Sequence, residues 1–577
     1  AFLAAGDPRI PLDPPESVPG VAEAADRLAL AVRKGERIVV HGDYDCDGIT
    51  STAILVRALR GRGARVRHFL PSRFTDGYGV SAETVERLAE EGCDVLVCVD
   101  CGTTAVEPLR RATELGIAPI VCDHHLAGGA RPPAIVANPA LGRGADPLPA
   151  AAGVVLKVVR ALAQRLDGDR LAPPPEDGID LAALATVADA VPLVGENRRL
   201  VARGLAALRT APSPGIAALC RAAGVAPRAL DARHLGFGLA PCLNAAGRMS
   251  HPDRGLELLL ESDSSRADRL AAELWGLNLE RRDTERRILE EAVAMVEASP
   301  PEERGADAIV VAGDGWHEGV VGIVAARLVE RFGRPAIVLS RDGERANGSG
   351  RSLPGVDLHA LVAAAASRLV RWGGHQGAVG LELRDEDVGS FRRELEEAAA
   401  GARGAIERAR VRPVDVVVSA RDLALPLAEA IERLAPFGRG NPEVRLLVAG
   451  AEILRTARVG EDGRHLEVRL RAAGAYARAI GFGLGSREAA IDPTVRHDAM
   501  VRLEIERYQE LVGPRVVLEA LEPLSGDTTA EGLCRRPCDA QCPSRVESVR
   551  DLLDAPDDLP PAPAGSPVAT RDRRGEG

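Results

Sequence analysis

Histidine and aspartate side chains are crowded into one short stretch of this 577-residue chain. The segment HGDYDCDG follows the apolar run RIVV and contributes His41, Asp43, Asp45 and Asp47. Carboxylates this close together repel one another unless a cation neutralises them. A histidine with several carboxylates is a ligand set suited to Mn²⁺ or Mg²⁺. For this segment alone, the alternative is a solvated acidic turn or a helix cap.

Similar side chains recur where later apolar runs end. The run 94–99 is followed by Asp100, the run 118–122 by Asp123, His124 and His125, and the helical run LAALATVAD ends in Asp189. Amphipathic stretches separate the runs, which predicts a parallel sheet covered by helices. Because loops at the carboxyl ends of parallel strands form a binding crevice, we expect these side chains to meet in one divalent-metal site.

The rest of the chain predicts several domains. At roughly 150 residues per domain, the length indicates about three or four of them. The periodic run 265–298 predicts one long helix, which leads to a second α/β block at 306–400. Short alternating strands over 411–522 favour a small barrel, with the OB type as one candidate. Residues 525–577 are rich in Pro, Gly and Asp and are predicted to be disordered.

Composition restricts the class of protein. No stretch has the roughly 20 apolar residues that span a bilayer, and ten cysteines are too few for a disulfide scaffold. With no readable secretion signal, the predicted compartment is the cytoplasm. A net charge of −11 argues against a protein that coats DNA over its whole surface, but it allows an enzyme with a local basic groove.

The acidic motifs resemble those of a known superfamily. HGDYDCDGITS, VDCGT, DHH and ATVADAVPL follow the order of the four motifs of DHH phosphoesterases. FLPSRFTDGYG, LNAAGRM, GSGRS, WGGHQGAVG and PFGRGNPE resemble the RecJ family of single-strand-specific 5′→3′ DNA exonucleases. The resemblance implies a parallel-sheet DHH domain (1–260), a connecting helix (261–304), a smaller α/β DHHA1 domain (305–405), an OB-like nucleic-acid-binding barrel (406–524) and the tail.

The resemblance also implies a centre of two divalent cations, Mn²⁺ or Mg²⁺. Its ligands would be His41, Asp45, Asp47, Asp100, His124 and Asp189. Asp100 would bridge the two ions. His41 and Asp45 would be the other ligands of one ion, and Asp47, His124 and Asp189 those of the second. Asp43 has no counterpart among the ligands and is interpreted as a supporting or solvated residue. Asp123 is expected to orient a neighbouring histidine.

Further residues are matched to substrate contacts. His125 would donate to the scissile phosphate, and Arg248 in NAAGR would bind it. The implied substrate-binding residues are Arg73, Tyr78, Ser349, Arg351 and His375. The alternatives are a surface charge for Arg73, a core residue for Tyr78, a flexible turn for GSGRS and a structural Gly-rich loop around His375. Cys242 stands where the family usually has Arg, which removes one positive charge near the groove.

The cysteines admit two interpretations. Cys98 and Cys101 have the CxxC spacing of zinc or redox sites, but strand alternation favours buried strand cysteines. Cys534, Cys538 and Cys542 in the tail are weak evidence for zinc, because no fourth ligand lies nearby in the sequence.

The family resemblance implies a metal-dependent exonuclease that degrades single-stranded DNA 5′→3′ to 5′-mononucleotides. It implies roles in DNA repair and recombination, and collaboration with a single-strand-binding protein and a RecQ-type helicase. One rival is a phosphodiesterase for short oligonucleotides or cyclic dinucleotides, which would have less need of the barrel. Another is an inactive DNA-binding scaffold, which would be expected to have lost some of the metal-binding acids.

Overall fold

The computed structural model describes residues 2–73, 75–77, 79–126, 128–142, 148–168, 178–508 and 511–524. The chain divides into two compact units. The first comprises residues 1–412 and 436–442, and the second comprises 413–435 and the residues from 443 onward. None of the helices described is long and apolar enough to cross a membrane. The predicted disorder of 525–577, with its three cysteines, lies outside the described residues.

A five-stranded parallel sheet forms the N-terminal part of the first unit. Its strands are β1 (Arg37–His41), β2 (Arg65–Phe69), β3 (Val95–Val99), β4 (Ala118–Cys122) and β5 (Ile135–Ala137), in the order β2-β1-β3-β4-β5. All four pairings are parallel. Alternate residues of β3 enter cores on opposite faces of the sheet, so the strand is buried throughout. The predicted parallel sheet is therefore confirmed.

Helices precede, separate and follow these strands along the chain. They are α1 (Val21–Lys34), α2 (Cys46–Arg60), α3 (Ala82–Glu90), α4 (Val106–Glu114), α5 (Ala151–Asp167), α6 (Ile179–Ala188), α7 (Gly195–Thr210), α8 (Pro214–Ala222), α9 (Ala240–Met249) and α10 (Asp253–Leu260). A π-helical turn, His234–Leu239, leads directly into α9. The long helix α11 (Ser264–Ala298) begins after Asp263, which caps it by accepting the Arg266 N–H. The single long helix predicted at 265–298 is thus present.

The second α/β part of the first unit contains a mixed sheet. Its elements are α12 (Pro301–Arg304), β6 (Ile309–Asp314), α13 (Glu318–Phe332), β7 (Ala336–Arg341), β8 (Arg345–Arg351), α14 (Leu358–Ala364), β9 (Leu369–His375), β10 (Ala378–Arg384), α15 (Val388–Gly401) and α16 (Arg403–Arg410). The strand order is β6-β7-β8-β10-β9, and of these pairs only β6 and β7 run parallel.

The interpretation of the glycine-rich segments as a turn and a loop is wrong. GSGRS lies largely in β8, and His375 ends the edge strand β9. A Cβ at Gly348 would lie 2.2 Å from the Val338 carbonyl oxygen, so neighbouring strands leave no room for a side chain there. Glycine at 348, and at 374, where a Cβ would lie 2.3 Å from the Ala378 carbonyl oxygen, therefore serves close strand packing.

The second unit contains a closed barrel. Its elements are β11 (Val416–Val417), α17 (Leu425–Glu432), β12 (Leu446–Val459), β13 (His465–Ala472), β14 (Ala475–Gly481), β15 (Arg496–Tyr508) and β16 (Leu511–Pro523). Pairing of β12 with β15 closes the ring β12-β13-β14-β16-β15. β14 and β16 pair in parallel, and the other ring pairs are antiparallel. The predicted OB-like barrel is confirmed.

Candidate metal centre

The β1–α2 connection positions three of the predicted ligands. His41 ends β1 and is fully buried. Asp45 caps α2, because its Oδ1 accepts the N–H groups of Asp47 (2.9 Å) and Gly48 (3.1 Å). The carboxylate of Asp47 in turn accepts two N–H groups at the start of α5, from residues 151 (2.7 Å) and 152 (2.8 Å). Two helix starts thus fix the Asp45 and Asp47 carboxylates.

The ends of β3, β4 and α6 bring further ligands to the same place. Asp100 follows β3 with a φ of 60°, a left-handed conformation that is uncommon outside glycine. Its N–H donates to the Cys122 carbonyl (3.1 Å). His124 Nε2 lies 3.5 Å from Asp100 Oδ1, 3.7 Å from Asp189 Oδ2 and 4.0 Å from Asp47 Oδ2. Three separate elements therefore present carboxylates to one imidazole.

The donor set fits divalent cations. Asp47, His124 and Asp189 each offer a ligand atom within 4.8 Å of the others, and so do Asp43, Asp45 and Asp100. His41 Nε2 is buried and has no hydrogen-bond partner among the described residues. Leaving such an atom unpaired is costly, and a cation would satisfy it. Oxygen and imidazole ligands suit Mn²⁺ or Mg²⁺.

Burial and mutual repulsion perturb these groups. Burial, reinforced by Asp47 and Asp45, raises the pKa of Asp100 well above its usual range and that of Asp189 to about 8. The pKa of Asp43 is raised to about 8 by burial and by Asp45. Burial lowers the pKa of His41 to about 4, which leaves the neutral imidazole that binds metals. A bound cation would favour the ionised carboxylates.

We therefore expect Mn²⁺ to stabilise the folded chain against heat. At a free concentration of 100 times its dissociation constant, an ion bound only by the folded state adds about 2.7 kcal/mol. Because protons compete for carboxylates with raised pKa values, the stabilisation should shrink as the pH falls from about 8 to about 6. Thermal unfolding in Mn²⁺ and in chelator would measure the effect.

Two variants make this measurement specific. Asp189→Asn should reduce the Mn²⁺-induced rise in melting temperature. Asp314→Asn is the control, since Asp314 also ends a strand but its side chain is 90% exposed. Equal melting temperatures for the unaltered chain in Mn²⁺ and in chelator would count against a metal centre.

His125 lies at the rim of the cluster and is paired with Asp123. Asp123 Oδ1 accepts the N–H of His124 (2.7 Å) and lies 2.7 Å from His125 Nδ1, while Oδ2 accepts the Thr103 N–H (3.0 Å). Burial opposes ionisation of Asp123, but hydrogen bonds from His125 and Thr103 hold its pKa below the usual range. The Asp123 hydrogen bond raises the pKa of His125 to about 9, against the effect of burial. The hydrogen bond to Asp123 thus favours the protonated ring of His125 at neutral pH, and 47% of the side chain is exposed.

Three arginines form a second group, which we call the arginine cluster: Arg73, Arg248 and Arg351. Burial lowers the pKa of Arg248 to about 10, and the charges of Arg73 and Arg351 add to that effect. Arg248 Nη1 donates to the Gly319 carbonyl (3.0 Å). Arg351 Nη1 donates to Ser349 Oγ (2.7 Å). Such a concentration of guanidinium groups suits phosphate oxygens.

The structure separates the predicted substrate residues. Arg73 and Arg351 lie in the arginine cluster with Arg248, and Ser349 contacts it. Tyr78 lies outside the described residues. His375 is exposed at the end of β9, where its Nδ1 accepts the Gly377 N–H (3.1 Å). Among the described residues, its ring makes no hydrogen bond to the metal ligands or to the arginine cluster.

Several contacts that support the site were not predicted from the sequence. Asn244 Oδ1 accepts the Cys46 N–H (2.7 Å), so the NAAGR segment holds the first turn of α2. Gly247 lies so close that a Cβ there would come within 2.5 Å of the Tyr44 carbonyl oxygen. The Arg73 guanidinium carbon lies 4.2 Å from the Tyr44 ring centroid. The Asn and Gly within LNAAGR indicate that this segment has a special role, but they do not show which residues it contacts.

Asp43 and the cysteines also gain defined places. Asp43 was unmatched to a ligand, yet its carboxyl lies within the ligand-atom cluster of Asp45 and Asp100. Cys98 is buried in β3 as a free thiol, as strand alternation predicted. Cys101 Sγ lies 3.7 Å from His41 Nδ1. The other ring nitrogen of His41, Nε2, is the one that has no hydrogen-bond partner among the described residues. Cys242 is fully buried in α9.

Family models match all three structured regions. The model described as "DHH family, N-terminal domain" matches residues 37–186, the "DHHA1 domain" matches 305–401 and the "RecJ OB domain" matches 414–520. Among solved structures, RecJ from Thermus thermophilus in complex with Mn²⁺ is similar, with a TM-score of 0.75 and 34% identity over 90% of this chain and 74% of that one. A RecJ bound to manganese has a TM-score of 0.59 and 39% identity, covering 68% of this chain and 95% of that one.

Curated relatives described as single-stranded-DNA-specific exonuclease RecJ match most of the chain. The Bacillus subtilis protein is 35% identical over 88% of this chain and 64% of its own length, and the Thermus thermophilus protein is 38% identical over 80% and 66%. This chain thus spans slightly less than two thirds of the length of each of those two relatives. The Dickeya dadantii protein is 34% identical over 88% of this chain and 91% of its own length. The chain belongs to the RecJ family.

Proposed function

We propose that this chain is a metal-dependent exonuclease that hydrolyses single-stranded DNA 5′→3′ and releases 5′-mononucleotides. The observation that carries the proposal is the meeting of His124 Nε2 with carboxylates of Asp47, Asp100 and Asp189. These acids come from separate elements, so a solvated acidic turn does not account for them. Relatives described as single-stranded-DNA-specific exonucleases support the choice of substrate.

The proposed ligands divide into two sets that share Asp100. One set is His41, Asp45 and Asp100, and the other is Asp47, Asp100, His124 and Asp189. Two divalent ions, when bound, can activate water at neutral pH and stabilise the attacking and leaving oxygens of a phosphodiester. Asp43 lies close enough to Asp45 and Asp100 to support their set. The retained acids argue against an inactive scaffold.

His125 and Arg248 are the proposed contacts to the scissile phosphate. Asp123 lies within hydrogen-bonding distance of His125 Nδ1 and keeps the ring protonated, so Nε2 would be the donor to the phosphate. That donation would stabilise charge on the phosphate as the bond to the leaving oxygen breaks. Arg248 remains charged at neutral pH despite its burial, and its guanidinium matches phosphate oxygens.

We assign recognition of the 5′ end of the strand to three residues that we call the 5′-end pocket: Arg73, Ser349 and Arg351. A terminal phosphate offers more oxygens and more negative charge than an internal one, so clustered guanidinium groups favour it.

On the barrel, the side chains of Tyr476 and Phe482 are exposed by 69% and 53%. Exposed aromatic rings can stack on the bases of a single strand, so we assign strand guidance to these two rings. His375 remains a candidate groove residue.

The proposed setting is DNA repair and recombination in the cytoplasm. A nuclease restricted to single strands needs an enzyme that opens duplexes, and exposed strands attract single-strand-binding protein. We therefore propose a RecQ-type helicase and a single-strand-binding protein as collaborators.

A digestion assay with end-labelled strands tests the function. With Mn²⁺ or Mg²⁺, we expect a 5′ label to appear in mononucleotides before a 3′ label on the same sequence, and no digestion in chelator. A long single strand should be degraded more readily than dinucleotides, which separates this activity from a short-substrate phosphodiesterase. Early release of the 3′ label, or full activity in chelator, would contradict the proposal.

A further inference from the structure

A chain of hydrogen-bonded polar side chains, buried except for Arg327 at its α13 end, links α9 to α13 through α11. We call it the α11 relay, and it consists of Cys242, Asn278, Arg281, Glu285 and Arg327. Asn278 Nδ2 donates to Cys242 Sγ (3.5 Å), and Arg281 donates to Asn278 Oδ1 from Nε (3.2 Å) and Nη2 (3.0 Å). Arg281 Nη1 donates to Glu285 (2.7 Å), which also accepts from Arg327 Nε on α13 (3.1 Å).

The centre of the relay is too deeply buried to be a surface ion pair. Cys242 and Asn278 are inaccessible to solvent, and the side chains of Arg281 and Glu285 are 10% and 12% exposed. A buried ion pair is weak evidence for stability, because desolvation offsets most of the Coulomb attraction. Its hydrogen bonds do fix geometry, since each partner must satisfy the other. The relay is therefore suited to setting the spacing of α9, α11 and α13.

Both ends of the relay reach the arginine cluster. Cys242 lies on α9, the helix that carries Arg248. Arg248 donates to the carbonyl of Gly319 in the first turn of α13. On the same helix, a Cβ at Gly322 would lie 3.0 Å from Arg351 Nη2 and 3.1 Å from Ser349 Oγ. Helices α9, α11 and α13 thus form a closed ring of contacts beside the proposed 5′-end pocket.

We propose that Arg281 is a positioning residue that, through the α11 relay, holds Arg248, Ser349 and Arg351 at the spacing that recognises a terminal 5′-phosphate. Because the pocket is part of the proposed function, the inference rests on that function. Among the described residues, Arg281 contacts no ligand of the metal centre, so its effect should fall on recognition of the end. Its positive charge also acts directly on Arg248, and Arg281→Lys, which keeps that charge, separates this effect from positioning. Its connection to α9 and to α13 runs through the hydrogen bonds of Asn278 and Glu285.

The test compares single strands that carry a 5′-phosphate or a 5′-hydroxyl. Arg281→Met keeps most of the side-chain volume but removes the donors. We expect its preference for the 5′-phosphate to fall about tenfold, because small misplacements of a binding group are costly. The KM for the phosphorylated strand should rise more than kcat falls, and Mn²⁺ should stabilise the variant as it does the unaltered chain.

Arg286→Met is the matched control. Arg286 lies on the same helix and pairs with Asp283, but both side chains are 69% exposed, so end preference should not change. Arg281→Lys retains the charge without the planar fork and should recover only part of the preference. If Arg281→Met does not fold, Arg281→Lys alone decides.

The outcomes separate the inference from the function. A folded Arg281 variant with unaltered end preference, whatever its melting temperature, overturns the positioning role. An unaltered chain that digests 5′→3′ without preferring a 5′-phosphate also overturns it. An unaltered chain that does not digest single strands from the 5′ end overturns the proposed function itself.

Discussion

Asp100→Ala should abolish digestion of single-stranded DNA, lowering the rate by roughly 10³-fold or more. Asp100 is the acid shared by both proposed ligand sets, and its Oδ1 lies 3.5 Å from His124 Nε2. Its loss would therefore disturb both ions. The affinity for DNA should stay close to that of the unaltered chain, because the arginine cluster and the barrel are untouched. Rates at saturating Mn²⁺ and fluorescence anisotropy with a labelled strand would measure the two quantities.

Asp94→Ala is the control for this variant. Asp94 precedes the other end of β3 and pairs with Arg37 on the surface, where the side chains are 40% and 57% exposed. We expect near-normal rates, since exposed ion pairs contribute little. Normal turnover by Asp100→Ala would refute the bridging role.

His125→Gln should lower kcat by about 10²- to 10³-fold and change its pH dependence. The pKa of His125 is raised to about 9, so the ring holds its proton at neutral pH and loses it as the pH rises through about 9. The unaltered enzyme should therefore lose activity on the alkaline side. Glutamine can donate a hydrogen bond but has no proton to lose, so the variant should lack that decline. A kcat profile from neutral to alkaline pH measures this.

Two further variants support the assignment. Asp123→Asn removes the carboxylate that raises the pKa of His125, so the alkaline decline should begin at lower pH. His234→Gln is the control, because His234 Nδ1 also lies near an aspartate, Asp231 (2.6 Å), and no hydrogen bond among the described residues joins it to a metal ligand. A decline near pH 9 that persists in His125→Gln would assign it to another group.

Local pattern was sufficient to predict the first sheet and its acidic edge. RIVVH and DVLVCV are short apolar runs that could be placed as β1 and β3 because helical periodicity separates them. Parallel strands place their carboxyl ends at one edge, so Asp100 and His124 could be expected near His41 from the sequence alone. The ligand roles of these residues came from the family resemblance and remain predictions.

Contacts that depend on tertiary packing could not be predicted. Nothing local in NGSGR distinguishes a turn from a strand, because the constraint comes from the Val338 carbonyl of the neighbouring strand. The Asn244 contact to Cys46 joins residues 198 positions apart. The α11 relay likewise requires three helices to be placed together. The spacing of apolar residues indicates which face of a helix or strand is buried, but not which polar partner a side chain on that face contacts.

Anomalous diffraction from crystals soaked in Mn²⁺ would show whether the six proposed ligands hold a pair of ions. We expect two manganese peaks roughly 3.5–4 Å apart, with Asp100 between them, His41 and Asp45 on one side, and Asp47, His124 and Asp189 on the other. An empty pocket, or manganese bound only elsewhere, would contradict this expectation.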